Sequence, residues 1–286
     1  MSPTQSHAEG EALPPVQPET PAEAYSPEQA RRHRELSVWD PRSAPGTYLL
    51  LAINIAVYLW MVTQHVNWNK PTEFDLIRYG ANEPWLVLHS EWYRLLTATF
   101  VHVGLIHIGT NMWCLWNLGL LGEPLLGPLG LTAVYLLTGI AGNLLSLAYN
   151  VVIPNHDPSG GGIFGPVGAG ASGAVFGIAG ILIVLLSNHK LPIPWSELKR
   201  LRRSVIQFAA LNLVIGIAAN YTSFINIDNR AHLGGFLCGL ALGVPLVPRM
   251  TSGRTKYLSR QKITFAAFAF ALTLFGYFIA TLSKVR

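Results

Sequence analysis

The chain has 286 residues, of which 50% are hydrophobic and only 12% are charged. A soluble domain usually carries about 25% charged residues, so this composition argues against a soluble enzyme and is typical of a multispanning membrane protein. The formal net charge of +5 does not indicate nucleic-acid binding, because the basic residues lie beside apolar runs.

Residues 1–45 are rich in Pro, Glu, Ser and Ala and contain almost no large aliphatic side chains. Such a segment cannot bury enough apolar area to offset its chain entropy, so we expect a disordered tail. It lacks the short apolar core of a secretory signal peptide, and its glutamates argue against a mitochondrial presequence.

Seven apolar segments follow the tail, and a membrane-spanning helix needs about 20 mostly apolar residues. The predicted spans cover residues 47–64, 104–121, 130–149, 172–187, 205–221, 231–247 and 263–282. The stretch 65–103 carries several aromatic residues, which favour the membrane interface, so we expect a partly helical loop in one leaflet. The glycine-rich stretch 158–170 is predicted to be a loop leading into the fourth span.

The distribution of basic residues indicates how the spans are oriented. With a cytoplasmic N-terminus, 14 of the 20 Lys and Arg residues fall on the cytoplasmic side, as the positive-inside rule requires. Seven spans then place the C-terminus outside. The polar ends of the second, fourth and sixth spans, which carry His107, Ser172 and His232, converge on the outer leaflet.

Ser172 opens the fourth span in the run Gly170-Ala171-Ser172-Gly173. A serine hydroxyl is a weak nucleophile that needs a nearby base. The alternative is plain helix packing, because Gly173-x-x-x-Gly177 is a small-residue motif of the kind that brings membrane helices together. Since position 174 is Ala, the run is not the G-x-S-x-G elbow of soluble hydrolases.

His232 is the candidate base, since an ionisable residue inside a span is costly and usually functional. Its helix carries a small-residue face formed by glycines at 235, 239 and 243. If that face packs against the fourth span, His232 meets Ser172 at the outer ends of the two helices. The alternative is a lone histidine bonded to a backbone carbonyl.

His107 and Asn111 lie four residues apart and therefore share one helix face. An oxyanion needs hydrogen-bond donors aimed at one point, and the Ser172 N–H at a helix start is a third free donor. These groups are the predicted oxyanion hole. The alternative is a polar clamp between helices without chemistry, and the nearby His102 is assigned no catalytic role.

No acid completes a triad by sequence. Asp157 and Asp228 fall in predicted loops, and we expect neither to have a helical register with His232. Phe176 lies one turn after Ser172 and could hold the imidazole in place of a carboxylate, the alternative being ordinary helix packing.

Metal chemistry is not supported by the motifs. The chain has no H-E-x-x-H motif and no acidic pair within a span, which argues against site-two-type and aspartyl intramembrane proteases. We therefore expect no metal and no cofactor. The two cysteines, Cys114 and Cys238, fall within apolar runs and are expected to be free thiols.

Five motifs in a fixed order resemble the rhomboid family of intramembrane serine proteases. They are Glu91-Trp92-Tyr93-Arg94, His107-x-x-x-Asn111, Gly119-x-x-x-Glu123-x-x-x-Gly127, Gly170-Ala171-Ser172-Gly173 and Ala231-His232-Leu233-Gly234-Gly235. The resemblance covers about residues 47–247. Position 176 is often Tyr in the family and is Phe here.

The resemblance implies an all-α polytopic membrane protein. It implies a six-helix rhomboid-like catalytic core at 46–250, preceded by the tail and followed at 251–286 by a cytoplasmic linker and an additional seventh transmembrane helix. Arg94 would anchor the first loop. The fifth span and the loop 222–230 would form a side gate and cap.

The resemblance also implies a function. Ser172 would be the nucleophile and His232 the general base, with His107, Asn111 and the Ser172 amide as the oxyanion hole. Substrates would be single-span membrane proteins, cut in or near the span, and a bacterial inner membrane is the expected location. The rival interpretations are a non-catalytic relative, which usually lacks the serine or histidine, and a transporter, which would tend to show paired repeats.

Overall fold

The computed structural model describes residues 40–153, 155–156, 163–164, 167–222 and 227–285. The predicted disordered tail lies almost entirely outside these residues, so it stays a prediction. The same holds for Asp157 and for most of the glycine-rich stretch before the fourth span.

Helices dominate the described residues. They are α1 (Pro45–Thr63), α2 (Glu73–Arg78), α3 (Pro84–Leu88), α4 (Arg94–Thr97), α5 (Leu105–Leu126), α6 (Pro128–Val152), α7 (Ser172–Leu185), α8 (Trp195–Thr222), α9 (Asn229–Leu246) and α10 (Arg254–Val285). Two short strands, β1 (Asn155–His156) and β2 (Ile163–Phe164), pair antiparallel between α6 and α7. A 3₁₀ turn at Val247–Arg249 ends α9.

All seven predicted spans are helical, which confirms the all-α polytopic fold class. Among the described residues, five helices are long and apolar enough to cross a membrane, namely α1, α6, α8, α9 and α10. Helix α5 has 22 residues but carries more polar groups. Helix α7 has only 14 residues, fewer than the roughly 20 that a full crossing needs.

Two predicted boundaries are wrong by several residues. Helix α8 begins at Trp195, ten residues before the predicted start of the fifth span at 205, and α10 begins at Arg254 rather than 263. The extra turns carry basic residues, which are good helix formers but lower the hydropathy of the segment. The apolar run therefore marks only the part of each helix that suits a bilayer.

Helix α7 is the buried centre of the molecule and packs between α6 and α9. Small residues permit this close approach. A side chain at Gly177 would overlap Thr138 of α6, since an added Cβ would lie 2.1 Å from its Oγ1, and one at Gly180 would lie 2.4 Å from the Phe236 carbonyl oxygen of α9. Because other helices surround it, α7 does not need the length of a lipid-facing span.

The loop between α1 and α5 is ordered by Arg94, which is buried in α4. Its guanidinium donates to the Glu91 carboxylate at 2.6 Å and to the carbonyl oxygens of Ile77 and Ala81. The Tyr93 hydroxyl also donates to Glu91 at 2.7 Å, and these two hydrogen bonds lower the pKa of Glu91. The contacts support the expected role of Arg94 as an anchor of this loop.

The seventh span packs against the same loop. Gly276 of α10 lies beside Leu144 of α6 and Trp92 of the loop, each 3.5 Å from the position of an added Cβ. Ile279 is buried in a cluster with Val87 and Leu144. Helix α10 therefore braces the loop against α6.

The carboxylate of Glu123 links the C-terminal end of α5 to the N-terminal end of α1. It is buried and accepts hydrogen bonds from the N–H groups of Gly46 and Thr47 at 2.8 and 2.7 Å, and from the Thr47 hydroxyl at 2.7 Å. These N–H groups belong to the first turn of α1 and have no partner within that helix. A negative charge at this position also interacts favourably with the helix dipole.

We expect Glu123→Ala to destabilise the fold by about 2–4 kcal/mol, because it leaves buried donors of α1 unsatisfied. The matched control is Glu73→Ala, which removes an exposed carboxylate. Thermal unfolding of the purified variants in detergent measures the difference. Equal melting temperatures for the two variants would contradict this account of the α1–α5 contact.

Candidate active site

Ser172 is the first residue of α7 and is half-buried. Gly170, two residues earlier, has φ of +130°, and its N–H donates to the Ala98 carbonyl oxygen at 2.9 Å. The backbone of Gly168 pairs with that of Asn82 in both directions, at 2.8 and 2.9 Å. These bonds fix the strand-like approach to Ser172 and leave the first N–H groups of α7 free of helical partners.

The imidazole of His232 lies over the first turn of α7. His232 is buried in α9, and its ring stacks on that of Phe176 with centroids 4.4 Å apart and an angle of 16° between the planes. Phe176 follows Ser172 by four residues and therefore shares its helix face. The structure thus places His232 against Phe176, one helical turn from Ser172.

Glycines set the separation of α7 and α9. A Cβ added to Gly235 would lie 2.0 Å from the Gly173 carbonyl oxygen, and one added to Gly239 would lie 2.0 Å from that of Gly177. Backbone therefore meets backbone along this contact. A Cβ added to Gly243, the third glycine of the predicted face, would instead lie 2.7 Å from Cβ of Val184.

His107 and Asn111 of α5 lie on the other side of the Ser172 loop. A Cβ added to Gly170 would lie 2.6 Å from His107 Cε1, 2.9 Å from His107 Nε2 and 3.8 Å from Asn111 Nδ2. The ring and the amide therefore converge two residues before Ser172. Only glycine leaves room for them at position 170.

The hydrogen bonds of these two side chains define what they can donate. His107 Nδ1 accepts from the Val103 N–H at 3.4 Å, so the neutral ring carries its proton on Nε2. Asn111 Nδ2 donates one N–H to the His107 carbonyl oxygen at 2.9 Å, which leaves its second N–H. Both groups thus retain a donor near Ser172, the arrangement that oxyanion stabilisation needs.

His102 is a site residue to which sequence reasoning gave no role. It is fully buried, its Nδ1 lies 3.1 Å from the Phe100 carbonyl oxygen, and its Nε2 accepts from the Ala171 N–H at 3.4 Å. Burial, with a smaller contribution from His107, lowers the pKa of His102 to about 3. The neutral ring therefore holds the backbone immediately before Ser172. Its loop position offers no periodic signal that would have revealed this contact.

Asp228 corrects one expectation. It is the N-cap of α9, and its carbonyl oxygen accepts from the His232 N–H at 3.2 Å, so it does have a helical register with His232. The carboxylate nevertheless bonds elsewhere, and in the described part of the chain Nδ1 of His232 has no hydrogen-bond partner. Over the same residues no hydrogen bond joins Ser172 to His232, although catalytic bonds are often long before substrate binds.

An apolar cavity of about 410 Å³ lies between α7, α8 and α9. It extends from His232 and Phe176 to Ile183, Ile206 and Leu240. Over the described residues, no group of three or more His, Cys, Asp or Glu side chains could hold a metal ion.

Comparison with known proteins gives consistent matches. The Rhomboid domain family model matches residues 89–249. The rhomboid protease GluP of Bacillus subtilis (strain 168) is 31% identical over 222 residues, which are 76% of this chain and 39% of GluP. Rhomboid-like protease 1 of Toxoplasma gondii is 29% identical over 226 residues, 71% of this chain and 69% of that protein.

A further match is the rhomboid protease AarA of Providencia stuartii. It is 28% identical over 217 residues, which are 70% of this chain and 72% of AarA. The chain thus spans about two fifths of GluP and about 70% of the other two relatives.

We expect Gly235→Ala to lower the melting temperature and to separate His232 from the first turn of α7, because the new methyl group would overlap the Gly173 carbonyl. The matched control is Gly109→Ala in α5, where an added Cβ meets nothing within 4 Å. Alanine is favoured over glycine in a helix by roughly 0.5–1 kcal/mol, so the control should keep or gain stability. Thermal unfolding in detergent measures the melting temperature of each variant. A Gly235→Ala variant as stable as Gly109→Ala would refute the backbone contact.

Proposed function

The chain belongs to the rhomboid family, and on this basis we propose that it is an intramembrane serine endopeptidase. It would hydrolyse peptide bonds in or near the transmembrane segments of single-span membrane proteins through a dyad of Ser172 and His232. The observation that carries the proposal is the stacking of His232 on Phe176, one turn from Ser172.

In the proposed reaction, the Ser172 hydroxyl attacks the scissile carbonyl carbon while the His232 imidazole takes the hydroxyl proton. The carbonyl oxygen becomes an oxyanion, to which His107, Asn111 and the Ser172 N–H donate. The imidazolium gives its proton to the departing amine, and the acyl-enzyme remains. Water, deprotonated by His232, then attacks the ester and releases Ser172 and the new carboxylate.

The position of these groups suits a reaction that needs water inside a bilayer. His107, Ser172 and His232 lie near the starts of α5, α7 and α9, and each of these helices runs away from the site. Together with the bias in basic residues, this supports an outer-leaflet site, a cytoplasmic N-terminus and an outside C-terminus. The proposed location is a bacterial inner membrane.

The apolar cavity beside His232 supports access for the substrate from the bilayer. Helix α8 forms one wall through Ile206, Ala209, Ala210 and Leu213, and exposed apolar side chains such as Leu211 and Val214 lie along the same helix. Movement of α8 would widen the cavity. This agrees with the proposed role of the fifth span as a side gate. Within the proposed cap at 222–230, residues 223–226 lie outside the described residues.

The decisive experiment is cleavage of a model single-span substrate by purified protein in liposomes. We expect activity in the wild type and its loss in Ser172→Ala and His232→Ala, because each removes one half of the dyad. The matched control is Ser204→Ala, an exposed serine of α8 whose hydroxyl bonds to the Arg200 carbonyl oxygen. Its activity should equal that of the wild type.

Labelling with a serine-reactive fluorophosphonate provides an independent readout. The probe should label the wild type at Ser172. Equal cleavage by the wild type and both dyad variants would point to another nucleophile, and no cleavage together with no labelling would favour a non-catalytic relative.

We further expect His107→Ala and Asn111→Ala each to lower kcat by about 10²–10³, with a smaller change in KM, because an oxyanion donor acts mainly in the transition state. The control is Asn117→Ala on the same helix. Asn117 is exposed and, like Asn111, donates to the carbonyl oxygen four residues earlier. Steady-state kinetics on the liposome substrate measures both constants, and a change confined to KM would contradict the oxyanion role.

A further inference from the structure

A polar contact at the start of α9 has no part in the proposed chemistry. Asp228 caps this helix, and its Oδ1 accepts from the N–H groups of Arg230 and Ala231 at 3.0 and 3.1 Å. An aspartate N-cap satisfies donors that the helix leaves open. One carboxylate oxygen is thus used entirely by the turn that carries His232.

The second carboxylate oxygen reaches another helix. Asp228 Oδ2 accepts a hydrogen bond from the hydroxyl of Ser146, which is buried in α6. One turn earlier in α6, Gly142 faces the Ala231 carbonyl oxygen, which lies 2.5 Å from the position of an added Cβ. The first turn of α9 is therefore held on α6 by one side-chain bond and one backbone contact, immediately before His232.

The charges that face His232 are few in the described part of the chain. Asp228 lies one helical turn before His232 at the start of α9, and His107 of α5 lies beside Gly170, two residues before Ser172. Arg230 turns to α6, where its Cζ lies 3.5 Å from the centre of the Tyr149 ring. Helix α7 carries no ionisable side chain, and the α8 residues that line the cavity are apolar.

We propose that Asp228 is a positioning residue of the dyad, and this inference rests on the proposed function. Through Ser146 it fixes the first turn of α9 on α6, and its charge stabilises the imidazolium that forms when His232 takes the Ser172 proton. In serine-protease triads a carboxylate does this by bonding the imidazole directly. Here the carboxylate acts through space, from one helical turn away.

Two substitutions separate the effect of the Asp228 charge from that of the Ser146–Asp228 hydrogen bond, which tethers α9 to α6. Asp228→Asn keeps a good N-cap residue and an oxygen for Ser146 but removes the charge, whereas Ser146→Ala keeps the charge and the cap but removes the tether. Asp228→Glu restores the charge. Glu73→Gln is the matched control, because it neutralises an exposed carboxylate in the loop before α5.

The measurement is the pH profile of kcat on the liposome substrate, together with the melting temperature of each variant. The Asp228 carboxylate favours the protonated form of His232, so its removal should shift the acidic limb of the profile to lower pH, by roughly one unit. We expect kcat on the plateau to fall about tenfold. Asp228→Glu should return the limb towards its wild-type position, and Ser146→Ala should lower kcat without moving the limb.

The outcomes distinguish this inference from the proposed function. A folded Asp228→Asn variant with the wild-type kcat and limb would overturn the inference and leave Asp228 as a helix cap. If Asp228→Asn does not fold, Ser146→Ala decides, and an unchanged kcat in that variant overturns the inference. If the wild type shows no cleavage that depends on Ser172, the proposed function is wrong, and Asp228 then has no dyad to position.

Discussion

The contact between the backbones of α7 and α9 is the constraint on which the rest of the site depends. Gly235 and Gly239 lie against the carbonyl oxygens of Gly173 and Gly177, where no side chain fits. In a bilayer the surrounding lipid is as apolar as the helix surface, so association relies on close packing and not on hydrophobic burial. Ser172 and His232 belong to different helices, and this contact sets how closely those two helices approach.

Close packing also explains how a short helix can begin inside a membrane protein. Helix α7 has 14 residues, and a helix that starts at membrane depth would expose free N–H groups to lipid, which is costly. The protein surrounds that start with polar partners instead. His102 accepts the Ala171 N–H, and Asn82 pairs with Gly168. These partners satisfy the N–H groups of Gly168 and Ala171 just before Ser172.

Features that repeat along the chain could be predicted, and features that depend on a single loop could not. Apolar runs marked the position of every predicted span, and the spacing of Gly235 and Gly239 indicated the contact with α7. His107 and Asn111 were paired by their helical spacing. The contact of His102 with Ala171 had no such signal, because it depends on the path of irregular backbone between helices. Asp228 is a residue type that favours N-caps, but its bond to Ser146 of α6 could not be predicted from the sequence.

The surroundings of His232 show how a buried imidazole can be oriented without a bonded acid. Its Nδ1 has no hydrogen-bond partner among the described residues, and a buried unsatisfied polar atom costs about 1–3 kcal/mol. Stacking on Phe176 returns roughly 0.5–1.5 kcal/mol beyond burial, which offsets part of this cost. Stacking fixes the plane of the ring and leaves its nitrogen-bearing edge free for a hydrogen bond. Burial makes a charged imidazole costly, so the proton that a general base takes up has to be stabilised by a neighbouring charge, which is the part proposed for Asp228.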